Sequence, residues 1–140
     1  MAAGYAGDIL PRKAWSMLAD DPRAALIDVR TTAEWSFVGV PDLASIGKET
    51  LYVPWVEFPA MAQNPHFAAE IERMVPDHDA PLVFICRSGA RSRSAAIEMT
   101  KRGYHNCYNI ATGFEGDPDP SRHRNSTGGW RFDQLPWIQT

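Results

Sequence analysis

The segment Cys86-Arg87-Ser88-Gly89-Ala90-Arg91-Ser92 is where residue types and spacing could do chemistry in this 140-residue chain. It follows a continuously apolar run, Pro81 to Cys86, and precedes a helical pattern from about Ala90 to Arg102. Where a strand opens into a helix, the N–H groups of the loop and first turn converge and carry the partial positive charge of the helix end. Gly89 permits the torsions of a tight cradle. Arg87 and Arg91 add full charges if their side chains fold back over the loop. Such surroundings favour thiolate over thiol, giving an ionised nucleophile at neutral pH. The same donors would bind an incoming anion. A lone cysteine is more often a buried, inert small hydrophobe. Here the helix start, the glycine and the arginines outweigh that reading. Cys86 is therefore the candidate nucleophile, and Arg87, Ser88, Gly89, Ala90, Arg91 and Ser92 are the candidate anion-binding residues.

The other chemically capable residues read differently. Cys107 falls inside a short apolar run and is expected to pack as a small hydrophobe; as a resolving thiol it would have to bring its Cα within about 7 Å of that of Cys86. His66, His78, His105 and His123 have no metal-ligand spacing, so no metal is expected, and no cofactor. Asp28 ends a strand pattern, where a hydrogen bond to a neighbouring loop or pairing with Arg30 is the expected role rather than acid–base work. Arg122, His123 and Arg124 lie in a Gly/Pro-rich loop and read as solvated.

The elements that must position Cys86 alternate along the chain. Pro11 starts a helix carrying Ala14, Trp15 and Leu18 and ending near Asp20. Ala25 to Val29 reads as a buried strand, and Thr31 or Thr32 caps a short helix through Phe37 with Glu34 in its first turns. Gly39 to Thr50 reads as a loop and Leu51 to Val53 as a brief strand, followed by an aromatic stretch, Trp55 and Phe58. Asn64 is expected to cap a helix with Pro65 in its first turn, running to Val75. Pro81 to Cys86 is the strongest strand, apolar throughout as in a sheet covered on both faces. A helix ending at Gly103, a strand at Asn106 to Ile110 and a loop from Gly113 to Gly129 follow. The aromatic tail, Trp130 to Trp137, is expected to fold back. Strands alternating with helices imply an α/β domain with a mainly parallel sheet.

Length fits one domain over residues 1–140 with a sizeable core and no need of staples. Two cysteines argue for reduced thiols, the first ten residues lack a signal-peptide pattern, and no apolar run would span a membrane, so a cytoplasmic location is expected. Net charge is −3, but residues 1–80 hold 6 basic and 12 acidic residues while residues 81–140 hold 8 and 5. The positive excess gathers at Arg87, Arg91 and Arg93, which suits a small anionic substrate better than nucleic acid.

Cys86-Arg87-Ser88-Gly89-Ala90-Arg91 resembles the active-site loop of the rhodanese-like sulfurtransferases, often Cys-Arg-x-Gly-x-Arg. Leu26-Ile27-Asp28-Val29-Arg30 with Glu34-Trp35 is similar to that family's early strand and turn. Gly103-Tyr104, and Tyr108-Asn109-Ile110 followed by Gly113-Phe114-Glu115-Gly116, are similar to its final strand and turn. The likeness covers nearly the whole chain. It implies a three-layer sandwich with a five-stranded parallel sheet and helices on both faces. It also implies a transfer in which Cys86 takes the outer sulfur of thiosulfate or a related anionic donor as a persulfide and passes it to cyanide or a thiol, with a protein acceptor or a non-catalytic, partner-dedicated module as the alternative. Cysteine phosphatases and arsenate reductases are less favoured. The phosphatases of this fold place five residues between Cys and Arg, whereas only Arg87 to Ala90 separate Cys86 from Arg91. The chain departs from the family pattern at Val38-Gly39-Val40-Pro41-Asp42-Leu43, where many members read Gly-His-Ile-Pro-Gly-Ala.

Overall fold

The computed structural model describes residues 4–57 and 59–139, so the expectation for Phe58 falls outside the described residues. In chain order the elements are β1 (Gly7–Ile9), α1 (Pro11–Asp20), β2 (Ala25–Asp28), α2 (Thr32–Phe37), β3 (Val40–Pro41), a 3-10 turn (Ala44–Ile46) and β4 (Leu51–Tyr52). They continue with β5 (Val56–Glu57), β6 (Ala62–Gln63), α3 (Phe67–Met74), β7 (Leu82–Ile85), α4 (Ala90–Lys101), β8 (Cys107–Ile110) and β9 (Trp137–Ile138).

Five strands form one parallel sheet in the order β1-β8-β7-β2-β4. The central strand β7 is buried at every position, which is why it reads as a run of apolar residues rather than an alternation. Its side chains still divide by face. Leu82, Phe84 and Cys86 join Phe67 and Ile71 of α3 and Ala95, Ala96 and Met99 of α4 in one core. Val83 and Ile85 pack on the other side with Ala14 and Leu18 of α1, Phe114, Trp130 and Leu135. The result is the expected three-layer α/β sandwich, with Cys86 just past the carboxyl end of the central strand on the α4 face.

Local signals set the helices that matter for the site. Pro11 occupies the first turn of α1, where a missing N–H costs nothing. Thr31 caps α2 in a full capping box: its hydroxyl accepts the Glu34 N–H, and the Glu34 carboxylate accepts the Thr31 N–H. At α3 the helix begins later than expected. Asn64 Oδ1 accepts the His66 N–H at 2.9 Å in an Asx turn, so Asn64 and Pro65 stand ahead of the helix and His66 holds the cap position.

Four features differ from or extend the sequence reading. β1 pairs with β8 at the sheet edge, with Asp8 opposite Asn109. The stretch expected to be a loop contains β3, which pairs antiparallel with β9 of the tail. β5 and β6 form a small hairpin. The tail folds back through Trp130 and Leu135, which are buried, and the Trp130 indole N–H donates to Pro136 O at 2.7 Å; Phe132 and Trp137, by contrast, are exposed. No helix among the described residues is long and apolar enough to cross a membrane.

Candidate active site

Cys86 is 1% exposed, and its Sγ has two polar neighbours. The Gly89 N–H donates to it at 3.2 Å, and Ser92 Oγ lies 3.1 Å away. Gly89 is the N-cap of α4 with φ +111°, and a Cβ there would overlap the carbonyl of Ala111, so the turn at this point requires glycine. The first backbone bond of α4 is Arg93 N–H to Gly89 O. The N–H groups of Arg87, Ser88, Ala90, Arg91 and Ser92 donate to no described residue, which leaves a ring of open donors at the helix start beside the sulfur.

The ring is held from below by the turn after β8. Phe114 N–H donates to Cys86 O at 2.8 Å and Glu115 N–H to Arg87 O at 2.9 Å. Gly113, with φ +66°, passes so close beneath the loop that a Cβ would collide with the carbonyls of Arg87 and Cys86.

The two arginines take separate positions. Arg87 is exposed and forms no ion pair with a described residue. Arg91, expected to fold over the loop, instead makes a two-pronged bond with Glu34 at 2.7 and 2.9 Å. That pair ties the first turn of α2 to the first turn of α4. Burial pushes the Glu34 carboxyl up, but the Arg91 guanidinium and the Thr31 bonds more than offset it and hold the carboxyl below its ordinary value. The Glu34 bond in turn raises Arg91 above its ordinary value, against burial. Arg93 lies over the Tyr5 ring at 5.7 Å, and Arg124 donates to Gly116 O.

Asp28 and Arg30 form a fully buried bidentate pair, at 2.9 and 2.7 Å, in keeping with the pairing expected for Asp28. Arg30 also donates to Gly39 O at 2.8 Å and lies 4.4 Å over the Phe114 ring, so it fastens β2 to the turn under the loop. Cys107 faces Leu82 in the β7–β8 register, four residues before Cys86 along the sheet, or about 13 Å away, well beyond disulfide reach. Burial pushes its thiol up to about 11, so it remains an uncharged packing residue.

Sequence reading missed one group of residues near the sulfur. Ser92 Oγ lies 2.5 Å from Asn109 Oδ1, Asn109 Nδ2 donates to Asp8 Oδ1 at 2.9 Å, and the Tyr5 hydroxyl donates to the same oxygen at 2.6 Å. Asn109 could have been flagged as a polar residue in an otherwise apolar strand. Asp8 could not, because its place depends on the β1–β8 register.

A five-stranded parallel sheet with a cysteine-bearing loop between its central strand and a helix defines a class, and the chain belongs to the rhodanese-like domain family, whose model matches residues 10–117. Among its relatives is a Rickettsia conorii protein called "Uncharacterized protein RC0915", 39% identical over 131 residues and covering 93% of this chain and 95% of that one. The crystal structure of Rv0390 from M. tuberculosis is 49% identical with a TM-score of 0.90, covering 97% of this chain and 99% of the other. The thiosulfate:glutathione sulfurtransferase of Saccharomyces cerevisiae is 38% identical over 88 residues, 61% of this chain and 58% of its own.

Proposed function

We propose that the protein is a sulfurtransferase that carries sulfur as a persulfide on Cys86. The observation that carries this reading is the buried Sγ at the start of α4, where five N–H groups of the same loop donate to no described residue. In the first step the Cys86 thiolate attacks the outer sulfur of thiosulfate. The sulfur–sulfur bond of the donor breaks, a new one forms to Sγ, and sulfite leaves with the electron pair. In the second step a thiol, as its thiolate, or cyanide attacks the outer sulfur and releases the Cys86 thiolate. Both the persulfide and the departing sulfite are anions, which open N–H groups stabilise without rearrangement.

Burial of Cys86 favours donors that offer a terminal sulfur over bulky ones. Arg87 supplies the free charge at the rim and contacts the donor anion, while Arg91, neutralised by Glu34, shapes the loop. Ser88, Gly89, Ala90, Arg91 and Ser92 contribute mainly through their backbone N–H groups. The name of the yeast relative, which couples thiosulfate with glutathione, supports the choice of donor and of a thiol acceptor.

Steady-state kinetics with thiosulfate and either cyanide or glutathione tests the scheme. Parallel double-reciprocal lines are expected, as for a covalent intermediate. Arg87→Ala should raise the thiosulfate KM several-fold with unchanged thermal stability. Intersecting lines, or turnover retained in Cys86→Ser, would contradict the reading.

A further inference from the structure

The hydrogen-bond chain behind Cys86 has a defined direction. Asp8, as a carboxylate, only accepts, so the Asn109 amide must turn its Nδ2 toward Asp8 and its Oδ1 toward Ser92. Two oxygens 2.5 Å apart need a proton between them, and only Ser92 has one to give. The Ser92 hydroxyl therefore points at Asn109 and presents a lone pair to Cys86 Sγ, 3.1 Å away. Ser92 is fully buried and Asn109 is 2% exposed, so water does not replace a missing partner.

This arrangement satisfies the Ser92 hydroxyl and the Asn109 amide oxygen when Cys86 is a thiol, because S–H donates to Ser92 and Ser92 donates to Asn109. When the S–H proton leaves to solvent, the Ser92 proton must turn to the sulfur, and Asn109 Oδ1 loses its donor. When the charge sits instead on the outer sulfur of a persulfide, Sγ no longer needs the proton, and it returns to Asn109.

We infer that Ser92 is a positioning residue whose single proton is shared between Cys86 and Asn109 under the control of Asp8. The chain disfavours charge on Sγ relative to charge on a transferred sulfur, and so biases the site toward holding its cargo. The inference rests on Cys86 as the reacting group proposed above. The charged and titratable groups on the elements packed around this sulfur are Arg87 of its own loop, Arg91, Arg93, Glu98 and Lys101 of α4, Glu70, Glu72 and Arg73 of α3, Asp28 and Arg30 of the β2 end, Glu34 of α2, Cys107 and Tyr108 of β8, Glu115 of the turn after it, and Asp8 and Tyr5 at the β1 edge. Among them Asp8 alone joins Sγ through a continuous side-chain hydrogen-bond chain, with Tyr5 at its far end.

The test is the pH profile of iodoacetamide alkylation at Cys86, followed by peptide mass spectrometry, in the full chain and its Asp8→Ala, Ser92→Ala and doubly substituted variants. Asp8 is exposed, so its removal opens no buried cavity. With Ala at position 8 no acceptor holds Nδ2 outward, so the Asn109 amide can turn over and donate to Ser92, freeing the serine proton for sulfur. The half-maximal pH should fall by about half to one unit, the scale of one hydrogen bond. In the Ser92→Ala background the same change should produce no shift. No shift on Asp8→Ala, or an equal shift in both backgrounds, would overturn the inference, the latter because it would mark a through-space charge effect. Should Ser92→Ala fail to fold, salt makes the same distinction: near 1 M, where the screening length is about 3 Å, a field effect from Asp8 disappears and a relay effect persists. Alkylation requires no sulfur donor, so this outcome is separable from failure of the proposed transfer reaction.

Discussion

At Glu34, burial and pairing act in opposite directions, and pairing wins. The carboxylate caps its own helix through Thr31 and holds Arg91 with two bonds in a partly buried setting. Charge-assisted bidentate bonds of this kind are stronger than neutral ones. Glu34→Gln should therefore cost roughly 1–2 kcal/mol at neutral pH by chemical denaturation. Because the folded carboxyl titrates below the unfolded one, the contribution is fully present above about pH 4.3 and is lost as pH falls through the folded value. The difference between wild type and variant should be flat above pH 5 and shrink below that range. A difference that does not change on acidification would assign the role to shape rather than charge. Arg91 thus reads as a loop fastener, a role that its place in the sequence, four residues beyond Arg87 on the same basic stretch, did not disclose.

The turn after β8 passes directly under the Cys86 loop. Gly113→Ala places a methyl group against the Arg87 and Cys86 carbonyls at a positive φ that alanine resists. The loop would have to lift, breaking the Phe114 and Glu115 bonds that hold it. A loss of stability on the order of 2 kcal/mol or more, together with loss of transfer activity, is expected from thermal unfolding and turnover assays; full activity at native stability would show that the loop holds its shape without this floor. The helices and central strands were legible because their signals are local: Pro11, the Thr31–Glu34 pair and the apolar run of β7 each sit within a few residues. β1 was not, since Gly-Asp-Ile is too short to show alternation, and its pairing partner lies about a hundred residues away. The same holds for β3 and β9, two residues each, which specify one another only across the fold. The place of Cys86 between the central strand and α4 was legible from its loop, whereas the Asn109–Asp8 support behind it exists only once β1 has docked on β8.

Across the whole molecule the acidic first part and the basic second part resolve into scaffold and candidate site. Much of the acidic charge is exposed or paired, while Arg87 stands free at the carboxyl edge of the sheet beside the only thiol that faces open N–H donors among the described residues. Cys107 lies one strand away at the opposite end and is held uncharged by burial, so a single sulfur carrier is expected. Intact-protein mass spectrometry after incubation with thiosulfate, with peptide mapping of the product, tests this most directly. The expected result is a gain of one sulfur atom, located on Cys86, absent in Cys86→Ser and removed by cyanide or a thiol. An unmodified Cys86, or sulfur found on Cys107 instead, would contradict the account.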